Sequence, residues 1–441
     1  MQSMRTLGRW ERRFTTTPCL IECHKMEIFR ALGSEPPLFS GPGCIDISSL
    51  TRIYFTMHAT IESQDALHQL MSAQKNPYVM DEQLRLEATD YQGVKWLCGF
   101  TLPRLKGVPK VGCPLTGQLA SLSTIDFGDY VSKIPSVELI FSPKLQLPME
   151  KIMESVTSIE GKEINRTSSA GRHSIRVLDS EINFFYPPAG DSLWITATTS
   201  EKIETPYAEN WLSEPLRILL GQRAYPRLIA RNHGDGTAQI GILPSPSHYN
   251  DSSIASLVWG DPFNNRTEFW DLYEKIILFF ARSNAAQGKF ATFPHLLTQY
   301  YDEIIDATQG STWVHCLTLA SAAEGIAKML MKPEDLKSDF AEQDISDLKK
   351  LVNNWKGDPD LRSRVLNSIS FCEKKSVGKY LKELTACGIL KTENEKAWSS
   401  LRNVVMHGGL VSPWISEKEE KLLVDLADLV HRLTRKLITR L

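Results

Sequence analysis

What this chain lacks narrows it quickly. No apolar run comes near the ~20 residues that a membrane-spanning helix needs. The longest candidate, Ile276-Ile277-Leu278-Phe279-Phe280-Ala281, is flanked by Glu274, Lys275 and Arg282 and reads as a buried helix. An excess of one charge is missing too: 50 Lys and Arg against 52 Asp and Glu give a formal net charge of −2, which argues against a protein that coats nucleic acid indiscriminately. The eight cysteines, at 19, 23, 44, 98, 113, 316, 372 and 387, form no regular framework. Reduced thiols in a cytoplasmic setting are therefore expected rather than disulfides. Cys19, Cys23 and His24 lack the second ligand pair that zinc spacing requires, so no metal and no other cofactor is expected. There is no Walker-type glycine loop, which speaks against an ATP- or GTP-driven step. Internal repeats and low-complexity tracts are also missing.

What is present fits a globular protein of two or three domains: 441 residues, 42% hydrophobic and 23% charged. The basic N-terminus (Arg5, Arg9, Arg12, Arg13) has no secretory apolar core, and residues 1–30 are expected to be a flexible segment, with Met26 as an alternative natural start. Residues 31–285 read as a strand-rich domain. Leu84, Leu86 and Ala88 alternate with polar residues, Asp90-Tyr91-Gln92-Gly93 supplies a turn, and Val94, Trp96, Cys98 and Phe100 alternate on the return. Ile53 to Ile61, Val137 to Phe141 and Ala238 to Ile242 repeat the two-residue period. A sandwich or curled, mostly antiparallel sheet follows, interrupted by one helix around Trp211 to Gly221. The aromatics Trp96, Tyr130, Phe185, Tyr186 and Trp194 could line a ligand site there, but aromatics in a sheet more often fill its core.

From about Asn264 the period becomes helical, and residues 286–441 are expected to form an all-α domain, completing an α+β multidomain chain. Helices are predicted near 293–307, 311–331, 333–355, 360–372, 376–387, 393–407 and 416–440. Thr392-x-x-Glu395 and Ser416-x-x-Glu419 are capping boxes, and Gly408-Gly409 stops the first of the two helices they start. Lys349 to Arg402 holds 12 Lys/Arg against 6 Asp/Glu, which suits a phosphate-bearing ligand or a solvated helix face.

One helix carries chemistry. Wound at about 100° per residue, the helix from Glu393 to His407 places Ala397, Trp398, Leu401, Val404 and Val405 on one arc, the face expected to enter the domain's own core. Asn403 and His407 fall opposite, with Arg402 on the flank, so the polar trio faces solvent or a second molecule. Arg, Asn and His on a surface helix are unremarkable in themselves, and Arg52…His58 and Arg227…His233 share the spacing in strand-rich sequence. On the helix from Ser311 to Met331, Glu324 shares an arc with Trp313, Leu317 and Ala320. A carboxylate there needs a partner, and Arg402, with its planar fork, suits it; an exposed i,i+4 pair with Lys328 is the alternative.

The segment Leu401-Arg402-Asn403-Val404-Val405-Met406-His407-Gly408 resembles the signature of the HEPN superfamily, in which Arg precedes His by four to six intervening residues, commonly with Asn after the Arg. Glu324 resembles that family's acidic helix position. From roughly residue 290 to the end, the chain resembles the Apea-like HEPN domain of abortive-infection anti-phage proteins. The resemblance implies a metal-independent endoribonuclease without cofactor, acting on RNA (transfer RNA among the candidates) as a homodimer or higher homo-oligomer, with no membrane partner. Two motifs would meet across the subunit interface, and a phage-derived trigger would act on the N-terminal domain as sensor. Carried over by position, Arg402 stabilises the phosphorane, His407 is general acid or base, Asn403 orients His407 or a phosphate oxygen, and Glu324 holds Arg402. The alternative is a non-catalytic HEPN module that binds RNA or nucleotide, or joins subunits.

Overall fold

The computed structural model of the protein describes residues 6–15, 19–30, 36–61, 65–106, 112–154, 168–187, 191–201, 203, 208–245, 254–287, 294–332, 340–406 and 417–440. Strands dominate the first part and helices the last, so the α+β plan holds at that level.

Period-two sequence builds the first unit. The strands β1 (Leu20–Arg30), β2 (Phe39–Asp46), β3 (Ile53–Ile61), β4 (Leu84–Asp90), β5 (Lys95–Thr101) and, after the two-residue β6 (Arg104–Leu105), β7 (Cys113–Leu119) pair in the order β5-β4-β1-β2-β3-β7. A Thr101–Leu119 pair returns β7 to β5, so the sheet curls onto itself. Ile53, Phe55, Met57 and Ala59 on β3 and Leu84, Leu86 and Ala88 on β4 fill the interior, because successive side chains in a strand point to opposite faces. The expected hairpin between β4 and β5 forms. Its turn is fixed by the Asp90 carboxylate, which accepts from the backbone N–H of Gln92 and of Val94, each at 2.9 Å. Trp96, Phe185 and Trp194 are buried in the core rather than lining a site.

The sheet continues through β8 (Leu122–Phe127) into β9 (Ser136–Phe141), β10 (Glu150–Glu154), β11 (Ser168–Val177), β12 (Ser180–Phe185), β13 (Leu193–Thr198), β14 (Leu228–Asn232) and β15 (Thr237–Ile242), in the spatial order β8-β15-β14-β9-β13-β12-β11-β10. Val137, Leu139 and Phe141 on β9 enter one core while Ile140 enters the other, so this part of the sheet is a wall with apolar packing on both sides. The helix α3 (Ala208–Leu220) and α4 (Arg266–Gln287) cover the first side. The apolar cluster does not divide at residue 285: Leu139, Phe184 and Tyr273 belong to the same cluster as Leu319 and Ile326 far along the chain.

The N-terminus corrects an expectation. Within the expected flexible segment 1–30, the described residues 6–15 and 19–30 are ordered elements of the fold, because α1 (Gly8–Thr15) and β1 lie there. Leu7, Trp10 and Phe14 are buried, and Trp10 and Phe14 pack edge-on against Trp96. Glu138 accepts from the backbone N–H of Thr6 (3.1 Å) and Leu7 (3.0 Å), and Asp126 accepts from Trp10 Nε1 at 2.9 Å. Arg9 also pairs with Asp126. A basic composition suggested a loose tail; the apolar face of one short helix and buried carboxylates hold it. A second helix within the strand-rich part, α2 (Ala66–Lys75), was not anticipated.

The remaining helices are α5 (Leu296–Ala307), α6 (Thr312–Leu330), α7 (Glu342–Asn354), α8 (Pro359–Phe371), α9 (Val377–Ala386), α10 (Thr392–Met406) and α11 (Glu417–Ile438). Each lies close to its predicted span, except that α7 begins later than residue 333. The start of α10 differs in detail. Thr392 is already inside the helix, and Asn394 reaches back to accept from the Lys391 backbone N–H at 2.9 Å, the role assigned to Glu395 in the expected box. The buried Asn394 also donates to Asp425 O at 2.8 Å and to Asp428 at 3.1 Å, pinning α10 to α11. Ser416 and Gly408-Gly409 lie outside the described residues.

Candidate active site

The site grows from the packing of α10 on α6. Ser311 caps α6 by accepting from the Val314 backbone N–H. Buried Cys316, Leu319, Ala323, Ile326 and Leu330 then fix α6 among α5, α9, α10 and α11. On α10, Ala397, Trp398 and Leu401 are buried as the helical arc requires. Trp398 Nε1 donates to Ala320 O at 3.2 Å, which locks the register between the two helices. Four residues further along each of them, Arg402 meets Glu324: Nε donates to Oε2 at 3.1 Å. The Arg402 guanidinium also lies 5.3 Å from the centre of the Trp398 ring.

Both partners weighed for Glu324 are used. Lys328 Nζ donates to Oε1 at 2.8 Å while Arg402 takes Oε2, and the carboxylate side chain is 25% exposed, so it is half-buried rather than sealed. Burial alone raises the Glu324 pKa, but the hydrogen bonds and charges of Lys328 and Arg402 outweigh it and hold the group below the usual carboxylate value. Arg402 is 36% exposed, facing solvent beside its anchor.

The other expected residues divide. Val404 does not enter the core; it is 44% exposed. Asn403 follows Arg402 on α10, but its side chain, like that of Val405 and the whole of His407, lies outside the described residues. The structure therefore joins Arg402 to Glu324 and gives no geometry for Asn403 or His407.

Beside the ion pair is an open groove of about 590 Å³, to which Tyr300 and Glu303 of α5 and Ser321, Gly325 and Lys328 of α6 contribute. A Cβ at Gly325 would come within 2.2 Å of the Tyr300 hydroxyl, so glycine lets the tyrosine lie against α6. Gly325 was the one legible clue to that approach, since glycine inside a helix costs about 1 kcal/mol without such a reason. Tyr300 and Glu303 come from another helix and carry no spacing signal.

The wall behind the groove is tied to the strand-rich part. Arg217 on α3 is buried and donates to Asp302 on α5 at 2.6 Å and to the Tyr225 hydroxyl at 3.0 Å. Glu214 accepts from the His295 backbone N–H (2.9 Å) and from Thr298 Oγ1 (2.7 Å). Burial raises the pKa of Glu214 and of Asp302 despite the attraction of Arg217. The basic segment is partly neutralised: Lys375 pairs with Glu383 and Lys391 with Asp428. Among the described residues no cluster of His, Cys, Asp and Glu is placed to hold a metal ion, and no helix is long and apolar enough to cross a membrane. Comparison of the chain with family models, with curated proteins and with solved structures returns no match.

Proposed function

We propose that the helical region is a HEPN-type, metal-independent endoribonuclease of anti-phage abortive infection, with the strand-rich region as its sensor or regulator. The observation that carries this reading is Arg402: anchored through Nε to Glu324, stacked beside Trp398 and half exposed at the mouth of a groove. A guanidinium held from behind by one carboxylate stays charged and keeps its remaining donors for an anion.

In this mechanism the ribose 2′-OH attacks the adjacent phosphorus and the P–O5′ bond breaks, leaving a 2′,3′-cyclic phosphate and a 5′-hydroxyl. Arg402 stabilises the negative charge that builds on the phosphorane oxygens. His407 takes the 2′-OH proton or gives one to the leaving 5′-oxygen, tasks for which imidazole is the most frequent side chain. Asn403 orients His407 or a phosphate oxygen. Glu324 is a positioning residue. The need for a 2′-OH makes RNA, not DNA, the substrate. A second copy supplies the facing motif, consistent with Arg402 and Val404 being turned toward solvent. Regulation by the strand-rich region is supported by the apolar cluster that runs from β9 and β12 into α6.

The test is cleavage of RNA by the purified full chain in EDTA. Cutting that is lost in both Arg402→Ala and His407→Ala supports the reading, with a loss of about 100-fold or more for removal of a transition-state donor. Cutting that requires Mg²⁺ overturns it. One observation favours a second reading: Glu324 has both oxygens engaged, by Lys328 and Arg402, as a purely structural clamp between α6 and α10 would have. In that case the region is a non-catalytic module that binds RNA or nucleotide, or joins subunits, and His407→Ala changes nothing.

A further inference from the structure

Among the described residues, nothing covers the apolar faces of two helices of the C-terminal region. The extensive packing of α7 and α8 is with each other, and Ile345 and Ile369 are the one buried residue of each. Leu348, Leu351, Trp355, Leu361 and Val365 are between 37% and 69% exposed. Leu348, Leu351 and Trp355 recur at helical spacing, as do Leu361 and Val365, so they form stripes rather than scattered surface residues. Between the stripes runs a groove of about 630 Å³ lined by Leu351, Val352, Asn354, Trp355, Leu361 and Val365. An apolar face of this kind on a soluble fold marks an interaction surface.

We propose that the occupant is the same hairpin of a second copy of this chain, laid antiparallel across a two-fold axis so that four helices enclose one core. Two helices alone cannot surround an apolar interior, whereas two such hairpins together form a four-helix bundle that does. Charge favours self-association over an unrelated partner. Glu342 and Asp344 stand at the head of α7, and Lys350 and Lys356 lie toward and just past its tail. An antiparallel twin sets each acidic head against a basic tail, as an isologous contact requires. The same polarity also favours the α7 dipole, so an experiment on the charges must separate the two effects. Helices of 13 residues are about 20 Å long, and a pair of them covers a face about 20 Å wide. Roughly 800 Å² in total would be buried, at the weak end for specific contacts. The association is therefore reversible and concentration-dependent, and it acts alongside any contact made by the Arg402 face.

Sedimentation velocity of the full chain between about 1 and about 100 µM, the range expected for so small an interface, reads the assembly directly. The expected result is a mass that rises with concentration above the 49.8 kDa of one chain. Leu351→Glu should halve the assembly size at the same concentration with unchanged circular dichroism. Glu342→Lys with Asp344→Lys should weaken association at least 10-fold, and adding Lys350→Glu with Lys356→Glu should restore it, which a simple dipole effect would not do. A mass distribution in Leu351→Glu equal to the parent's overturns the proposal, as does a parent that stays monomeric throughout, or a fourfold charge swap that restores nothing. Arg402→Ala, run in parallel, should retain the concentration dependence even if it abolishes RNA cutting, so this inference and the nuclease reading fail separately.

Discussion

Two sets of charged side chains, one in each region, are used in opposite ways. In the strand-rich region Arg227 and Glu138 are shut in among backbone groups. Arg227 is fully buried and donates to the carbonyls of Leu243 (2.6 Å), Leu50 (3.3 Å), Ile47 (3.3 Å) and Phe14 (3.4 Å). Burial pushes its pKa down to about 10. Glu138 likewise faces inward, onto the backbone entering α1. In the helical region Glu324, Lys328 and Arg402 lie 25–60% exposed on the lip of a groove. A buried ion is stable when hydrogen bonds offset its desolvation, and then it is committed to structure. A half-exposed one contributes little to stability and remains available to a ligand.

That contrast can be broken experimentally. The largest effect expected is for Arg227→Ala, which strands several carbonyls and opens a cavity; a loss of about 3–5 kcal/mol should appear in the urea midpoint. A loss under 1 kcal/mol would mean that water replaces the side chain and the strand-rich region is less sealed than described.

Acid comes next, and it tests the helical region. Burial lowers the pKa of both His295 and His431 to about 4. Above about pH 6.5 both are neutral whether folded or not, and their contribution is fully present. As pH falls from 6.5 toward 4, the unfolded chain binds protons that the folded one refuses, so stability falls by up to about 3 kcal/mol per group. His431 Nε2 has no hydrogen-bond partner among the described residues, so His431→Phe should keep the fold and flatten the pH dependence of the melting temperature over that window. An unchanged slope would show that His431 is hydrated.

Removal of the carboxylate in Glu138→Ala leaves two backbone donors uncapped and should cost about 1–3 kcal/mol, read as a lower melting temperature and faster proteolysis near residue 8. The smallest change in stability should come from Glu324→Gln, within about 1 kcal/mol. The proposed RNA cleavage should nevertheless drop roughly 10-fold through loosening of Arg402, mainly in kcat, with Glu324→Asp recovering part of it. Equal losses of stability and activity would make Glu324 a structural clamp only.

How much was legible follows the range of the forces involved. The hairpin at 84–101 is written in alternation and a turn, and α5 to α11 in a period of 3.6, because each rests on neighbours within a few residues. The pairing of Arg402 with Glu324 was also readable, since a carboxylate on an apolar arc calls for a cation. The N-terminal helix was not: its basic composition looked like a tail, and its anchors, Glu138 and Asp126, stand more than a hundred residues away. Val404 was placed correctly on its arc and wrongly in the core, because periodicity tells which way a side chain points and not whether anything lies there.

By itself, then, the sequence determined the hairpin at 84–101, the succession of helices α5 to α11 and the identity of the polar residues on α10. Tertiary structure decided that β5 and β7 close the curl, that the sheet and the helices share one apolar cluster, that Glu324 divides its oxygens between Lys328 and Arg402, and that α7 and α8 keep apolar faces that no other described residue covers. Local preference is set by the backbone and by adjacent side chains; these four outcomes depend on which surfaces remain to be covered once all the elements compete for the same core.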